Sequence, residues 1–201
     1  MTRSVGNASL VLMALIFRMT TACLAMPLGE LVVRCAPHVA PRTALAILSV
    51  ESGGYPWSIN DNDTNYSHRF ATREEAEIYV HERLAINPDA SIDIGLAQLN
   101  STNLRGLGLS VDMAFEPCTN VAMGMRILQG AYVRAEARYG PTRRALFEAL
   151  AAYNGGPQIL TTTNIRLRRR VERYANTVWA TAKRIPALQP RNRAVSFERG
   201  K

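Results

Sequence analysis

Glu51 and Tyr153 each occupy the last position of an apolar helical stripe, and a glycine follows each of them two residues later. The stripes begin at Ala44 and Leu146 and repeat at i, i+3, i+4 and i+7, which is the spacing of one buried helix face. A carboxyl group on such a face loses part of its hydration, which disfavours the charged form and raises its pKa. Glu51 is therefore a candidate general acid for chemistry near neutral pH. The alternative is a glutamate whose carboxyl group bends away into solvent.

Other chemistries find little support in the sequence. The histidines are scattered without the spacing of metal ligands, at His38, His68 and His81. The sequence also lacks a glycine-rich phosphate-binding motif. We therefore expect neither a metal nor an organic cofactor.

The positive charge is concentrated at the C-terminal end of the chain. Of 201 residues with a net charge of +8, eleven of the 24 Lys and Arg but only two of the 16 acidic residues lie in 164–201. The preceding part is nearly neutral and long enough to bury one core. The basic end fits an anionic partner of several classes, or is a solvated helix face followed by a tail. We assign 26–186 to one domain and 187–201 to a basic tail with little order.

The N-terminus has the pattern of an export signal. Arg3 precedes the apolar run ASLVLMALIF at 8–17, and small residues lead to a predicted cleavage site after Ala25. The run is shorter than the about 20 apolar residues that a membrane-spanning helix needs, and Arg18 interrupts it. We therefore expect a periplasmic protein without a stable membrane span. Lipid attachment at Cys23 is the alternative.

The cysteine content agrees with export. Once Cys23 leaves with the signal peptide, Cys35 and Cys118 remain as an even pair in a chain bound for an oxidising compartment. A disulfide between them is expected, and two buried free thiols are the alternative.

The rest of the sequence predicts a mainly α-helical domain. Apolar periodicity and capping residues mark six helices, over 28–34, 41–51, 73–85, 117–139, 146–153 and 171–185. An Asn- and Asp-rich stretch over 55–66 indicates a loop or short hairpin, and residues 87–93 indicate a connector. The expected architecture is a helical body with a small loop or hairpin lobe.

Three short motifs follow one another along the chain, ESGG at 51–54, GLAQLN at 95–100 and AYNGG at 152–156. Each string is common by itself. In this order and rough spacing, with a helix before the first and the third, they make the chain resemble the soluble lytic transglycosylase family. Residues 26–35 and 91–128 are similar to the branch of that family that accompanies type IV secretion and conjugation machinery.

This resemblance implies a lysozyme-like fold with a groove for the glycan strands of peptidoglycan. Glu51 would protonate the oxygen that joins N-acetylmuramic acid to N-acetylglucosamine, then take the proton of the muramoyl 6-hydroxyl as it closes on C1. The product is a 1,6-anhydro sugar. A hydrolase needs a second carboxylate across the sugar, but the Gln98 and Tyr153 motifs contain none, and the family assigns that role to the substrate's N-acetyl group. The implied partners are peptidoglycan and secretion or conjugation proteins, not nucleic acid.

The first two motifs imply supporting roles for their polar residues. Ser52 would hydrogen-bond near the acid or the acetamido group of the substrate, unless it simply ends the helix. Gln98 and Asn100 would line the groove, through side chain and backbone respectively, unless they are polar turn residues. Gly95 would permit a close approach of the backbone.

The third motif and the last helix add three further candidates. Tyr153 would orient or desolvate Glu51, and Asn154 would fix the turn, unless they are a core tyrosine and a left-handed helix cap. Tyr174 resembles the family's last motif and would contact sugar, unless it is purely a packing residue.

Asp93 leaves a second hypothesis for the function open. It precedes the GLAQLN motif by two residues, and if it faced Glu51, ordinary hydrolysis on the same fold would follow. The alternative is a loop aspartate that forms a turn. In a third hypothesis the motifs are only architecture, in a non-catalytic adaptor that binds glycan or assembly partners.

Overall fold

The computed structural model describes residues 26–186, so the predicted signal peptide (1–25), lipid attachment at Cys23 and basic tail (187–201) lie outside the described residues. The helices are α1 (Leu28–Cys35), α2 (Pro41–Glu51), α3 (Arg73–Ile86), α4 (Ser101–Leu107), α5 (Val111–Phe115), α6 (Pro117–Tyr139), α7 (Arg143–Gly155) and α8 (Ile165–Arg184). The strands are β1 (Ser58–Asp61), β2 (Tyr66–Arg69), β3 (Ile92–Ile94) and β4 (Leu99–Asn100), and a 3-10 turn covers Pro157–Leu160. The prediction of a mainly α-helical domain is confirmed. None of the helices within 26–186 is long and apolar enough to cross a membrane.

Capping residues explain where the helices begin. Pro41 is the first residue of α2, a position where its missing N–H leaves no hydrogen bond unmade. Thr72 and Glu75 form the predicted capping box of α3, with the Thr72 hydroxyl accepting from the Glu75 N–H at 3.2 Å. The Glu116 carboxylate caps α6 by accepting from the Thr119 N–H at 2.6 Å.

The small lobe is a four-stranded antiparallel sheet in the order β2-β1-β3-β4. It is therefore larger than the expected loop or hairpin, and the prediction of a connector up to residue 93 is wrong for its last two residues. Ile92 and Ile94 are fully buried, while Asp93 between them points to the other face, which is the alternation of a strand. Strand β3 lies at the centre of the sheet, so Asp93 is held in a regular element.

Two hydrophobic cores meet along α6. The larger core packs α1, α2, α7 and α8 together and receives Met125 and Leu128 from α6. The smaller core lies under the sheet, and Met123 and Ile127 of the same helix pack against it. Helix α6 is thus a wall shared by the helical body and the small lobe.

A disulfide joins α1 to the first turn of α6. Cys35 and Cys118 are bonded, with their Cα atoms 5.4 Å apart and 83 positions apart in sequence. The predicted disulfide is confirmed, and the alternative of two free thiols is wrong.

Candidate active site

A cleft of about 860 Å³ is lined by residues of the small lobe and of α2, α4, α6, α7 and α8. The predicted residues Glu51, Gln98, Asn100, Tyr153, Asn154 and Tyr174 all belong to this lining, and so does Asp93. Ser52 does not. The fold therefore brings these motif residues together at one surface, although they lie as far apart in sequence as positions 51 and 174.

Glu51 is the last residue of α2 and is half-buried at the cleft. Burial raises its pKa from 4.5 to about 7; a hydrogen bond from Tyr174 acts to lower it, and the negative charge of Asp93 acts to raise it further. The raised pKa favours the protonated form of the Glu51 carboxyl group near neutral pH, as a general acid requires.

Tyr174 holds this carboxyl group from α8. Its hydroxyl group donates a hydrogen bond of 2.5 Å to Glu51 Oε1. Burial, and then the negative charge of Glu51, raise the pKa of Tyr174 well above 10, so the hydroxyl keeps its proton and remains a donor. The alternative of a purely packed tyrosine is wrong, since its polar atom contacts the candidate acid.

Tyr153 approaches Glu51 without bonding to it. Its hydroxyl group donates to the Ala97 carbonyl at 2.7 Å, which joins α7 to the GLAQLN segment. Burial raises its pKa well above 10, with a further contribution from the nearby charge of Glu51. A Cβ atom at Gly124 would collide with Ala97 and lie 3.0 Å from the Tyr153 hydroxyl oxygen, so this contact depends on a glycine in α6. Tyr153 therefore lies near Glu51, but the orienting hydrogen bond that was expected of Tyr153 comes from Tyr174 instead.

Ser52 acts inside the protein. Only 2% of its surface is exposed, and its hydroxyl oxygen lies 2.9 Å from the Leu96 carbonyl oxygen and accepts from the Gly54 N–H at 3.2 Å. Through these bonds Ser52, which directly follows Glu51, links the end of α2 to the GLAQLN segment. Its geometry supports a positioning role and not the expected contact with an acetamido group.

Gln98 has a backbone conformation that side chains rarely adopt. Its φ angle is 51°, in the left-handed region, which is unfavourable for a residue with a Cβ atom. The side-chain amide offsets this by donating to the carbonyl oxygens of Gly95 (2.8 Å) and Ser58 (3.3 Å). Gly95 has a φ of 76°, and a Cβ atom there would lie only 2.5 Å from Asn120 Nδ2. This is the close approach expected at Gly95.

Asp93 faces the same cleft as Glu51 and accepts hydrogen bonds from three side-chain amides, the longest of them from Asn60 Nδ2 at 3.4 Å. Its Oδ1 accepts from Asn100 Nδ2 at 2.8 Å and its Oδ2 accepts from Asn62 Nδ2 at 2.9 Å. The alternative of a turn-forming aspartate is wrong, because Asp93 is the middle residue of β3. The Asn100 side chain also caps α4 by accepting from the Thr102 N–H at 3.1 Å, so it is engaged within the protein.

The sequence profile of the transglycosylase SLT domain matches residues 32–176, which is more than half of the chain. The chain belongs to the transglycosylase SLT family. The three motifs and Tyr174 all lie within the matched part, so the family predicted from them is confirmed, together with its lysozyme-like fold.

Similar curated proteins carry the name virB1. Protein virB1 of Agrobacterium fabrum (strain C58) is 36% identical over 122 residues, which are 61% of this chain and 49% of that protein. Protein virB1 of Rhizobium radiobacter is 33% identical over 188 residues, 91% of this chain and 73% of that protein. Type IV secretion system protein virB1 of Brucella abortus (strain 2308) is 35% identical over 132 residues, 65% of this chain and 55% of that protein. The SLT-family chain thus spans about half to three quarters of these relatives. No solved structure matches it.

Asn154 lies at the cleft within the last turn of α7 of this SLT-family chain. The residue with a left-handed φ at the end of α7 is Gly156, at 81°. The alternative of a left-handed cap at Asn154 is therefore wrong. Its side chain is exposed and free to meet a ligand.

Asn120 of α6 is a buried polar residue that sequence reasoning missed. It is 1% exposed, its Oδ1 accepts from the Ala97 N–H (2.7 Å), and its Nδ2 donates to the carbonyl oxygens of Ile94 (2.9 Å) and Ala114 (2.6 Å). It thereby fixes the GLAQLN segment to the helical wall. A polar residue one turn before Gly124 on the buried face of α6 was the available signal.

Two arginines at the cleft were also missed. Arg134 of α6 and Arg170 of α8 line it with exposed side chains, and neither forms a salt bridge with another residue of 26–186. They add positive charge to a cleft that also contains Glu51 and Asp93. Within the same described range, His, Cys, Asp and Glu side chains form no cluster suited to a metal ion.

Removing the Tyr174 hydroxyl group tests its action on the acid of this SLT-family site. In Tyr174→Phe, Glu51 loses the hydrogen bond that lowers its pKa, so the pKa is expected to rise above about 7. The alkaline limb of kcat/KM against pH should then move to higher pH, as measured by clearing of a peptidoglycan suspension. Tyr139→Phe, outside the cleft, is the matched control. A Tyr174→Phe profile that coincides with the control would contradict this coupling.

Proposed function

We propose that the chain is a peptidoglycan lytic transglycosylase that cleaves between N-acetylmuramic acid and N-acetylglucosamine and leaves 1,6-anhydro-muramoyl ends. The observation that carries this proposal is the carboxyl group of Glu51, half-buried in the cleft with a pKa of about 7 and held by Tyr174. Family membership supports the same class of enzyme.

One carboxyl group performs both proton transfers in this mechanism. Protonated Glu51 gives its proton to the glycosidic oxygen while the bond from that oxygen to C1 breaks. The carboxylate so formed accepts the proton of the muramoyl 6-hydroxyl as the oxygen of that hydroxyl bonds to C1. Glu51 ends protonated, no water is consumed, and the acetamido group of the substrate stabilises the positive charge at C1 in between.

Hydrolysis is the second candidate, and the position of Asp93 favours it. Asp93 lines the cleft with Glu51, where a carboxylate could activate a water molecule. Its two oxygens already accept hydrogen bonds from Asn100 and Asn62, which supports a role in holding the sheet. The lyase therefore remains the leading proposal.

Mass spectrometry of digested peptidoglycan tests the proposal. The lyase is expected to release muropeptides with anhydro ends, one water lighter than the reducing ends that a hydrolase would produce. Reducing ends would contradict the lyase and support the hydrolase. Absence of soluble fragments would support the non-catalytic adaptor. Asp93→Asn gives a second criterion, because the lyase should keep its anhydro product in this variant while the hydrolase should lose most of its release.

The cellular setting is part of the same proposal. A similar Brucella abortus protein is named as a type IV secretion system protein, and the predicted export signal leads to the periplasm. We place the activity there, opening the wall locally so that a secretion or conjugation apparatus can be assembled. Loss of assembly in a Glu51→Gln strain that makes the protein at normal level is the expected result.

A further inference from the structure

A second depression of about 420 Å³ continues the cleft along α6. Gly106, Leu107, Ile127 and Arg134 line both spaces, so the two are contiguous. Met123, Arg126 and Gly130 line only the second one, which we call the side branch.

The side branch combines positive charge with small and apolar groups. Arg126 and Arg134 are both exposed, and neither forms a salt bridge with another residue of 26–186. None of the residues that line the branch is acidic. Guanidinium groups without a partner are suited to bind carboxylates.

The dimensions of the side branch suit a short peptide. Arg126 and Arg134 are eight residues apart on one helix, which is about 12 Å along its axis. An extended peptide of four residues spans about 13 Å. Gly106 and Gly130 carry no side chain into this space; the surroundings of Gly106 are open, and Arg134 Nη1 lies 3.5 Å from where a Cβ atom of Gly130 would be.

We infer that the side branch binds the acidic peptide stem of peptidoglycan, an inference that rests on the proposed glycan substrate in the cleft. Each muramoyl unit carries this peptide on its lactyl group, and the stem combines several carboxylates with small aliphatic side chains. A glycan strand in the cleft therefore brings stems to the entrance of the side branch. Arg126 and Arg134 bind the carboxylates, while Met123, Ile127 and Leu107 contact the aliphatic groups. The site thus selects glycan that still bears its peptides.

Two forms of one substrate test this selection. Intact peptidoglycan is compared with the same material stripped of its stems by an amidase. The quantity measured is kcat/KM for the intact material divided by kcat/KM for the stripped material. Arg126→Gln is expected to lower the ratio about three- to tenfold through KM, as for loss of one exposed charge-assisted contact. Arg126→Lys keeps the positive charge and should recover part of the ratio that Arg126→Gln loses. The matched control Arg34→Gln, an exposed arginine of α1 outside both spaces, should leave it unchanged.

A binding assay separates this inference from the proposed activity. In a Glu51→Gln background, binding to intact and to amidase-treated peptidoglycan is measured at low salt. Stronger binding to intact material, reduced by adding Arg126→Gln, supports the site even if the wild-type chain releases no product. Equal binding to both materials, or equal loss on both in Arg126→Gln, would overturn it, the second because the branch would then serve the glycan itself.

Discussion

Replacing Glu51 by Gln is expected to lower kcat/KM on peptidoglycan by about a thousandfold. Gln has nearly the same shape, and its carbonyl oxygen can accept the hydrogen bond from Tyr174, so the cleft should keep its geometry. It cannot give up a proton as the acid or take one as the base, and the mechanism gives both transfers to this residue. Release of soluble muropeptides measures the loss.

Glu82→Gln is the matched control, since Glu82 is exposed on α3 and lies outside the cleft. It should keep full activity. The Glu51→Gln protein should still sediment with peptidoglycan, which would separate lost chemistry from lost binding. Undiminished release by Glu51→Gln would remove this residue from its role.

The same substitution should stabilise the fold at alkaline pH. Glu51 has a pKa of about 7 in the folded chain against an ordinary value of 4.5, so ionisation favours the unfolded state. The wild-type carboxyl group makes its full contribution to the free energy of unfolding below about pH 4.5, and this contribution is lost as the pH rises through about 7. Unfolding in urea should therefore show Glu51→Gln about 1 to 3 kcal/mol more stable at alkaline pH and similar to wild type in acid. Equal stability of the two proteins at alkaline pH would mean that the carboxyl group is well hydrated.

Removal of the disulfide has the second large expected effect. Cys35→Ala/Cys118→Ala opens a link between residues 83 positions apart, which should lower the free energy of unfolding by about 2 to 4 kcal/mol. The physical reason is that the crosslink restricts the unfolded chain and thereby raises its free energy. Urea unfolding of the variant and the wild type at one pH measures the difference.

A reducing agent gives the corresponding control. Wild-type protein with a reducing agent should approach the stability of the double variant, while the double variant should not respond to it. If the variant were as stable as the oxidised wild type, the crosslink would contribute nothing. A response of the double variant itself would point to another target of the reducing agent.

Local signals predicted several helices closely. Helices α2 and α6 have the predicted bounds, because each begins at a proline and ends just before glycine or a turn, and these signals act within a few residues. Helix α8 begins at Ile165, six residues before the prediction. Its first turns are rich in arginine, so the apolar stripe starts late, although Asn164 caps the helix and Arg168 pairs with the buried Glu148 of α7.

The candidate site was predictable as a set of residue types and only partly as a geometry. The motifs identified Glu51, Gln98 and Tyr174, but which tyrosine reaches the carboxyl group depends on how α8 packs against α2. Contacts over such sequence distances leave no periodic signal. The strand position of Asp93 escaped prediction because β3 has only three residues, too few for its alternation to stand out from a loop.

The shared position of α6 has a mechanical consequence. A hinge between the lobes would have to pull Met125 and Leu128 out of one core or Met123 and Ile127 out of the other, exposing apolar surface in either case. The cleft is thus backed by a helix that is anchored in both cores, which opposes a hinge motion of the two lobes. On the proposed function, a glycan strand that binds in this cleft is therefore expected to adjust its own shape, including that of the sugar ring, more than the lobes adjust theirs.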